Sequence, residues 1–141
     1  MEIHGLQVKN QYVQNIGAIR VINSKLTLKN SSFDSYQTQG DREWLRRPDR
    51  EKWHSQKGLP EEGGHLHVAE GSELVSESNK YANSRSTVGG CVALEGQARA
   101  TFKKDRFTGC SAVRGGAIYA ADFFHLGIDD SQFEKNIAYS G

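Results

Sequence analysis

The chain has 141 residues, 36% of them apolar, with 18 Lys and Arg against 17 Asp and Glu for a formal charge of +1. That length supports one domain, and charges so evenly interspersed give no electrostatic case for nucleic acid as a partner. No apolar run approaches the about 18 residues of a membrane-spanning helix, and the opening MEIHGLQVKN lacks the apolar core of a secretion signal.

In chain order, LQVKNQYVQN at 6–15 reads as the end of a repeat unit that closes on Tyr12. Ile19 and Val21 supply a strand, and LTLKNSSF at 26–33 supplies a second strand and an aromatic, with Leu26, Leu28 and Phe33 directed inward. Alternation at two-residue spacing is the pattern of a strand with one buried face. Tyr12 and Phe33 lie closer together than the evenly spaced aromatics later in the chain, so this first coil is expected to be short, with trimmed corners.

The next unit's aromatic, Tyr81, lies almost two coil lengths beyond Phe33, so the interval holds one coil and a large excess. The excess is expected to leave the rod within 37–62, a stretch that holds both tryptophans, both prolines and a dense mixture of charge. A short helix is expected over 41–47, capped by Asp41, with Trp44 and Leu45 as its apolar contact and Pro48 as its stop. Loops on rigid repeats are the usual carriers of recognition. Trp44 and Trp53, with Arg46, Arg47 and Arg50 beside them, are therefore the candidate partner-binding residues, for a protein or for stacked sugar rings. The competing reading folds the tryptophans back onto the rod.

Three units then follow at constant length. Gly64, Gly90 and Gly116 are 26 residues apart, as are Tyr81, Phe107 and Phe133, and each glycine precedes its aromatic by 17 residues. Within the units, Leu66 and Val68 align with Val92 and Leu94 and with Ile118 and Ala120. Leu74 and Ser76 likewise align with Ala100 and Phe102 and with Leu126 and Ile128. The runs are too short, and too closely flanked by Gly, Ser, Asn and Asp, to be helices. Three strands and three corners per unit predict an all-β, parallel β-helix of about five coils, the first incomplete, with equivalent residues stacked about 4.8 Å apart. Lys25, Glu73, Arg99 and His125 then form one outer row, and Lys29, Glu77, Lys103 and Asp129 another. Sign changes along these rows relieve the repulsion of stacked like charge.

The Gly pairs, Gly115–Gly116 among them, are read as corners that need positive φ or close backbone approach. Asp129 and Asp130 are adjacent, so a strand directs them to opposite faces, and their upstream equivalents are Lys103 and Lys104. They are read as ladder charges and not as the paired carboxylates that sugar cleavage or cation binding requires. Glu61 and Glu62 read as solvated. His65 and His67 are spaced to share a face, with Cys91 one coil on, an arrangement that admits a metal, although ordinary outward polar residues are the expectation. Cys91 and Cys110 are expected as two reduced, partly buried thiols, with a disulfide left open by their spacing within one coil. No catalytic residue, metal or cofactor is expected.

GGAIYA at 115–120 followed by FEKN at 133–136 resembles the paired GGA(I/L) and FxxN signature of the polymorphic membrane protein repeats and, more broadly, the pectin-lyase-like right-handed β-helix superfamily. GGCVAL with FTGC, and GGHLHV with YANS, are similar but depart at the alanine and the asparagine. The resemblance implies a right-handed solenoid in which Asn136 is structural, bonding backbone from inside the coil. It also implies an extracellular or surface setting, an adhesin-like role among others. The chain's final YSG, where the next coil is due, fits a segment of a longer protein or ends covered by partners. The expected function is a non-catalytic scaffold contacting other protein chains, and the alternative is a β-helix that binds or cleaves polysaccharide.

Overall fold

The computed structural model describes residues 1–9, 18–34 and 63–139. A partial coil holds β1 (Glu2–His4) and β2 (Gln7–Lys9), and the next holds β3 (Ile19–Ile22), β4 (Lys25–Lys29) and β5 (Ser32–Asp34). Then come β6 (Leu66–Ala69), β7 (Glu73–Glu77), β8 (Lys80–Ala82) and β9 (Arg85–Val88). The following coil is β10 (Val92–Leu94), β11 (Arg99–Lys103), β12 (Arg106–Thr108) and β13 (Ser111–Arg114). The last is β14 (Ile118–Ala120), β15 (His125–Asp129), β16 (Gln132–Glu134) and β17 (Ile137–Ala138). Equivalent strands pair in parallel from coil to coil, in the orders β1-β4-β7-β11-β15, β14-β10-β6-β3, β16-β12-β8-β5-β2 and β17-β13-β9. The molecule is a parallel β-solenoid of about four turns, with no helix among the described residues. The insertion at 37–62 and the helix expected over 41–47 lie outside those residues.

Leu66, Val92 and Ile118 stack in register, as do Leu74, Ala100 and Leu126, and Ser76, Phe102 and Ile128. Phe33, Tyr81, Phe107 and Phe133 form one column whose ring centroids are 5.4, 4.9 and 4.8 Å apart with interplanar angles of 12°, 16° and 5°. Such stacked pairs are worth about 0.5–1.5 kcal/mol each beyond the area they bury. Pairing of Phe33 with Tyr81 puts the chain excess between these two coils.

Two expectations are corrected. Val8, not Tyr12, stands opposite Phe33, and Ile3 stands opposite Leu28, so the first coil is nearly as long as the later ones. Each full coil also has four strands where three were expected, the fourth being β9, β13 and β17. Ser86, Ala112 and Ala138, the residues in register there, are too small for apolar alternation to reveal a strand.

Two corners explain why the coils superpose. Gly5, Asn30, Ser78, Lys104 and Asp130 occupy one column, all left-handed at φ between 50° and 66°. In the Gly pairs the two residues divide the work. Gly63, Gly89 and Gly115 take φ of 55°, 64° and 62°. Gly64, Gly90 and Gly116 lie against the neighbouring coil, and a Cβ on Gly116 would lie 2.6 Å from the Ile137 carbonyl carbon.

Candidate functional site: the inner polar column and the open face of the last coil

Directly after the left-handed corner comes a column that the sequence reading missed: Ser31, Asn79, Asp105 and Ser131. Each side-chain oxygen accepts the backbone N–H of its equivalent one coil earlier. Ser31 N–H donates to Asn79 Oδ1 at 2.8 Å, Asn79 N–H to Asp105 Oδ1 at 2.7 Å and Asp105 N–H to Ser131 Oγ at 3.1 Å. The signal was present, since a small polar residue stands two positions before every aromatic of the Phe33 column. These bonds satisfy N–H groups that the left-handed turn removes from the ladder, and each buried one contributes about 0.5–1.5 kcal/mol, more where a carboxylate accepts. Asn79 Nδ2 also donates to the Leu28 carbonyl and to Ser76 Oγ, both at 2.8 Å, and Ser76 Oγ is 2.8 Å from the Tyr81 hydroxyl.

Asp105 is the charged member of this column, and its Oδ2 is buried without a hydrogen-bond partner. Burial pushes its carboxyl up to about 6, against the opposing pull of the Asn79 N–H bond. A carboxyl raised in the folded state stabilises most below its unfolded value near 3.8, and that contribution is lost as pH rises through about 6. His65 has the opposite sign. Burial lowers its imidazole to about 4, so its contribution is full above 6.5 and is lost as pH falls through 4. The two slopes offset each other between pH 4 and 6. Asp105→Asn, which restores the amide found at Asn79, is expected to raise stability at pH 7 by about 1–3 kcal/mol. It also leaves the His65 slope uncovered, so urea midpoints of the variant fall steadily from pH 6.5 to 4. A variant no more stable than the parent at pH 7 would contradict this.

Cys91 and Cys110 form a buried disulfide with Cα atoms 5.5 Å apart. This corrects the expectation of reduced thiols: the residue that begins a coil and the residue two past its aromatic strand meet across the coil interior. The same two columns hold His65 and Ser84 one coil earlier and Ala117 and Asn136 one coil later. His65 is not outward, because its ring lies 5.6 Å from Phe33 and 6.4 Å from Tyr81, and its Nε2 donates to the Ala82 carbonyl at 2.9 Å. His67 is buried as well, with Nε2 3.6 Å from Glu95 Oε2. The two histidines therefore do not share a face, since His65 sits at the corner, where the two-residue period fails. Among the described residues no group of three His, Cys, Asp or Glu side chains is placed to hold a metal ion. Asn136 Oδ1 accepts Cys110 N–H at 2.9 Å and its Nδ2 donates to the Phe107 carbonyl at 3.1 Å. Its bonds thus tie one coil to the preceding one.

On the outer wall, the two rows form as expected. Lys25 Nζ is 3.3 Å from Glu73 and Lys29 Nζ 3.5 Å from Glu77, and Asp129 stands in register with Lys103. Exposed pairs of this kind contribute about 0–1 kcal/mol. Arg99 lies over the Phe124 ring at 4.0 Å.

The last coil differs from the rest. Phe102 and Phe107 are fully buried, yet Ile128 and Phe133, in register with them, are 47% and 44% exposed. Ile137 at 49%, Phe123 at 44% and Phe124 at 61% extend the apolar surface round the coil. Ile128 and Phe133 continue core columns and stand in the last described layer of each. Protein-family models, curated proteins and solved structures all give no match to this chain. Of the residues singled out from sequence, Gly64, Gly90, Gly115 and Gly116 lie at the corners, Tyr81 and Phe107 in the core, and Phe133 on the open face. Trp44, Trp53, Arg46, Arg47 and Arg50 lie outside the described residues.

Proposed function

We propose that this chain is a non-catalytic β-solenoid scaffold that works through contact with other protein chains, in a surface adhesin or a large assembly. The observation that carries the reading is the regular parallel stack itself, whose in-register columns give a rigid wall of the kind that carries recognition loops.

Membership of the pectin-lyase-like superfamily, with the polymorphic membrane protein repeats as the nearer likeness, is part of the proposal. It is supported by GGAIYA and FEKN and by the bonds of Asn136 to the neighbouring coil. A disulfide buried in the rod favours an oxidising compartment, in keeping with a surface role. The insertion, with Trp44, Trp53 and its arginines, supplies a second contact in this reading, to protein first and to glycan second.

A photo-cross-linking residue at position 124, installed in the protein within the cells that make it, tests the reading. Discrete protein adducts are expected. Release of reducing ends or unsaturated uronates from acidic polysaccharides by the purified chain would overturn it in favour of the enzyme.

A further inference from the structure

We propose that Asn30 is the acceptor of an N-linked glycan, attached as the chain passes through the oxidising compartment in which the Cys91–Cys110 disulfide forms. The proposal does not depend on what the solenoid contacts. It adds a covalent modification to one corner of the wall.

Three observations carry it. The first is the sequence around the residue. Of the seven asparagines in the chain, Asn30 alone opens an Asn-X-Ser/Thr triplet, with Ser31 and Ser32 following it. Such a triplet is short enough to occur by chance, so the placement of the side chain decides.

The second is the state of the amide. Every other asparagine among the described residues has its Nδ2 committed. Asn23 donates to Glu70 Oε2 at 3.2 Å, Asn79 to the Leu28 carbonyl at 2.8 Å, Asn83 to Asp34 Oδ1 at 2.8 Å and Asn136 to the Phe107 carbonyl at 3.1 Å. Asn30 is tied to the fold by its backbone N–H, which donates to the Glu77 carbonyl at 3.1 Å, and among the described residues its Nδ2 donates to nothing. The nitrogen that would carry the sugar is the one the fold leaves unused.

The third is room. Asn30 is exposed at the left-handed corner between β4 and β5, at φ 50°, with a described coil on either side, so its exposure is that of the outer wall. Its neighbours in the corner column are Gly5 and Ser78, and a Cβ on Gly5 would meet nothing within 4 Å. Lys104 and Asp130, exposed further along the same column, show that this corner directs side chains into water.

In the transfer, Asn30 Nδ2 forms a bond to the anomeric carbon of an oligosaccharide carried on a polyprenyl diphosphate. The bond from that carbon to the diphosphate oxygen breaks, the diphosphate leaves with the electron pair, and the amide gives one proton to a base of the transferring enzyme. That enzyme must hold residues 30–32 in its own cleft, whereas in the fold Ser31 is 3% exposed and its N–H is bonded to Asn79 Oδ1, 48 residues later in the chain. Transfer therefore precedes docking of the coil that carries Asn79.

The test is the intact mass of the protein isolated from the cells that make it, before and after peptide-N-glycosidase digestion in heavy-oxygen water. A carbohydrate increment that digestion removes, leaving a heavy-oxygen aspartate at position 30, is expected. Ser32→Ala keeps Asn30 and its corner but removes the hydroxyl of the triplet, and is expected to abolish the increment, while Ser32→Thr retains it. Ser32 stands on the outer row with Gln7 and Lys80, so both variants are expected to form the disulfide and melt near the parent. A protein of bare polypeptide mass with its disulfide formed overturns the proposal. So does sugar confined to other residues, or an increment at Asn30 that survives Ser32→Ala.

Discussion

Gly90→Ala is expected to prevent folding or to cost more than about 4 kcal/mol. The added Cβ would lie 2.0 Å from the Gly116 carbonyl oxygen, 2.6 Å from Ser111 N and 2.8 Å from Ser111 O. All three are backbone atoms, and both residues are held by ladder bonds: Gly90 N–H to the Gly115 carbonyl at 3.0 Å and Ser111 N–H to the Ser84 carbonyl at 2.9 Å. No side chain can swing away, so the coils would have to part. Gly127→Ala is the control in the same chain. Its nearest atom is His125 Nε2 at 3.2 Å, the far end of a side chain, and it lies in a strand where alanine is normally preferred by about 0.5–1 kcal/mol. Comparison of soluble yield and melting temperature separates the two. A Gly90→Ala chain melting within a few degrees of the parent would mean that coil spacing is looser than these distances require.

Removal of the Cys91–Cys110 bridge is expected to cost about 2–4 kcal/mol, because it frees a loop with a sequence separation of 19 in the unfolded chain. In a chain of this size that corresponds to a fall in melting temperature of roughly 5–15 °C. Its replacement can be chosen from the molecule itself. The next coil carries Ala117 and Asn136 in the same two columns, and Asn136 bonds Cys110 N–H and the Phe107 carbonyl. In a Cys91→Ala, Cys110→Asn chain the new amide stands opposite Ser84 N–H and the Tyr81 carbonyl, which Cys110 Sγ already approaches at 3.8 Å. This variant is expected to recover about 1–2 kcal/mol relative to Cys91→Ala, Cys110→Ala. Equal melting temperatures for the two double variants would show that the asparagine of this column contributes no stability.

The repeat was legible because stacking demands it. A parallel ladder requires equal chain lengths between equivalent positions, so the constant spacing of Gly64, Gly90 and Gly116 carries the register of every strand from β6 onward. By the same requirement, the interval of almost two coil lengths between the paired residues Phe33 and Tyr81 holds an excess of chain, and the insertion expected at 37–62 lies outside the described residues. Alternating charge in the Lys25 and Lys29 rows followed from the same arithmetic. Where the landmark was an aromatic alone, the reading slipped: Tyr12 was taken for a column member when Val8 fills that place. The column of Ser31, Asn79, Asp105 and Ser131 was written in the sequence but unread, because short polar residues beside a turn look like solvated loop.

By itself the sequence determined the period, the inward columns and the corners, all of which depend on spacing along the chain and on which residues tolerate φ above zero. Burial was decided only by the tertiary structure. Whether His65 points in, whether Cys91 reaches Cys110 across a coil, how far Asp105 is desolvated and which phenylalanines face water all depend on the layers above and below. Phe107 and Phe133 occupy one column and one motif, yet the first is fully buried and the second 44% exposed, because a core exists at any position only where another coil covers it.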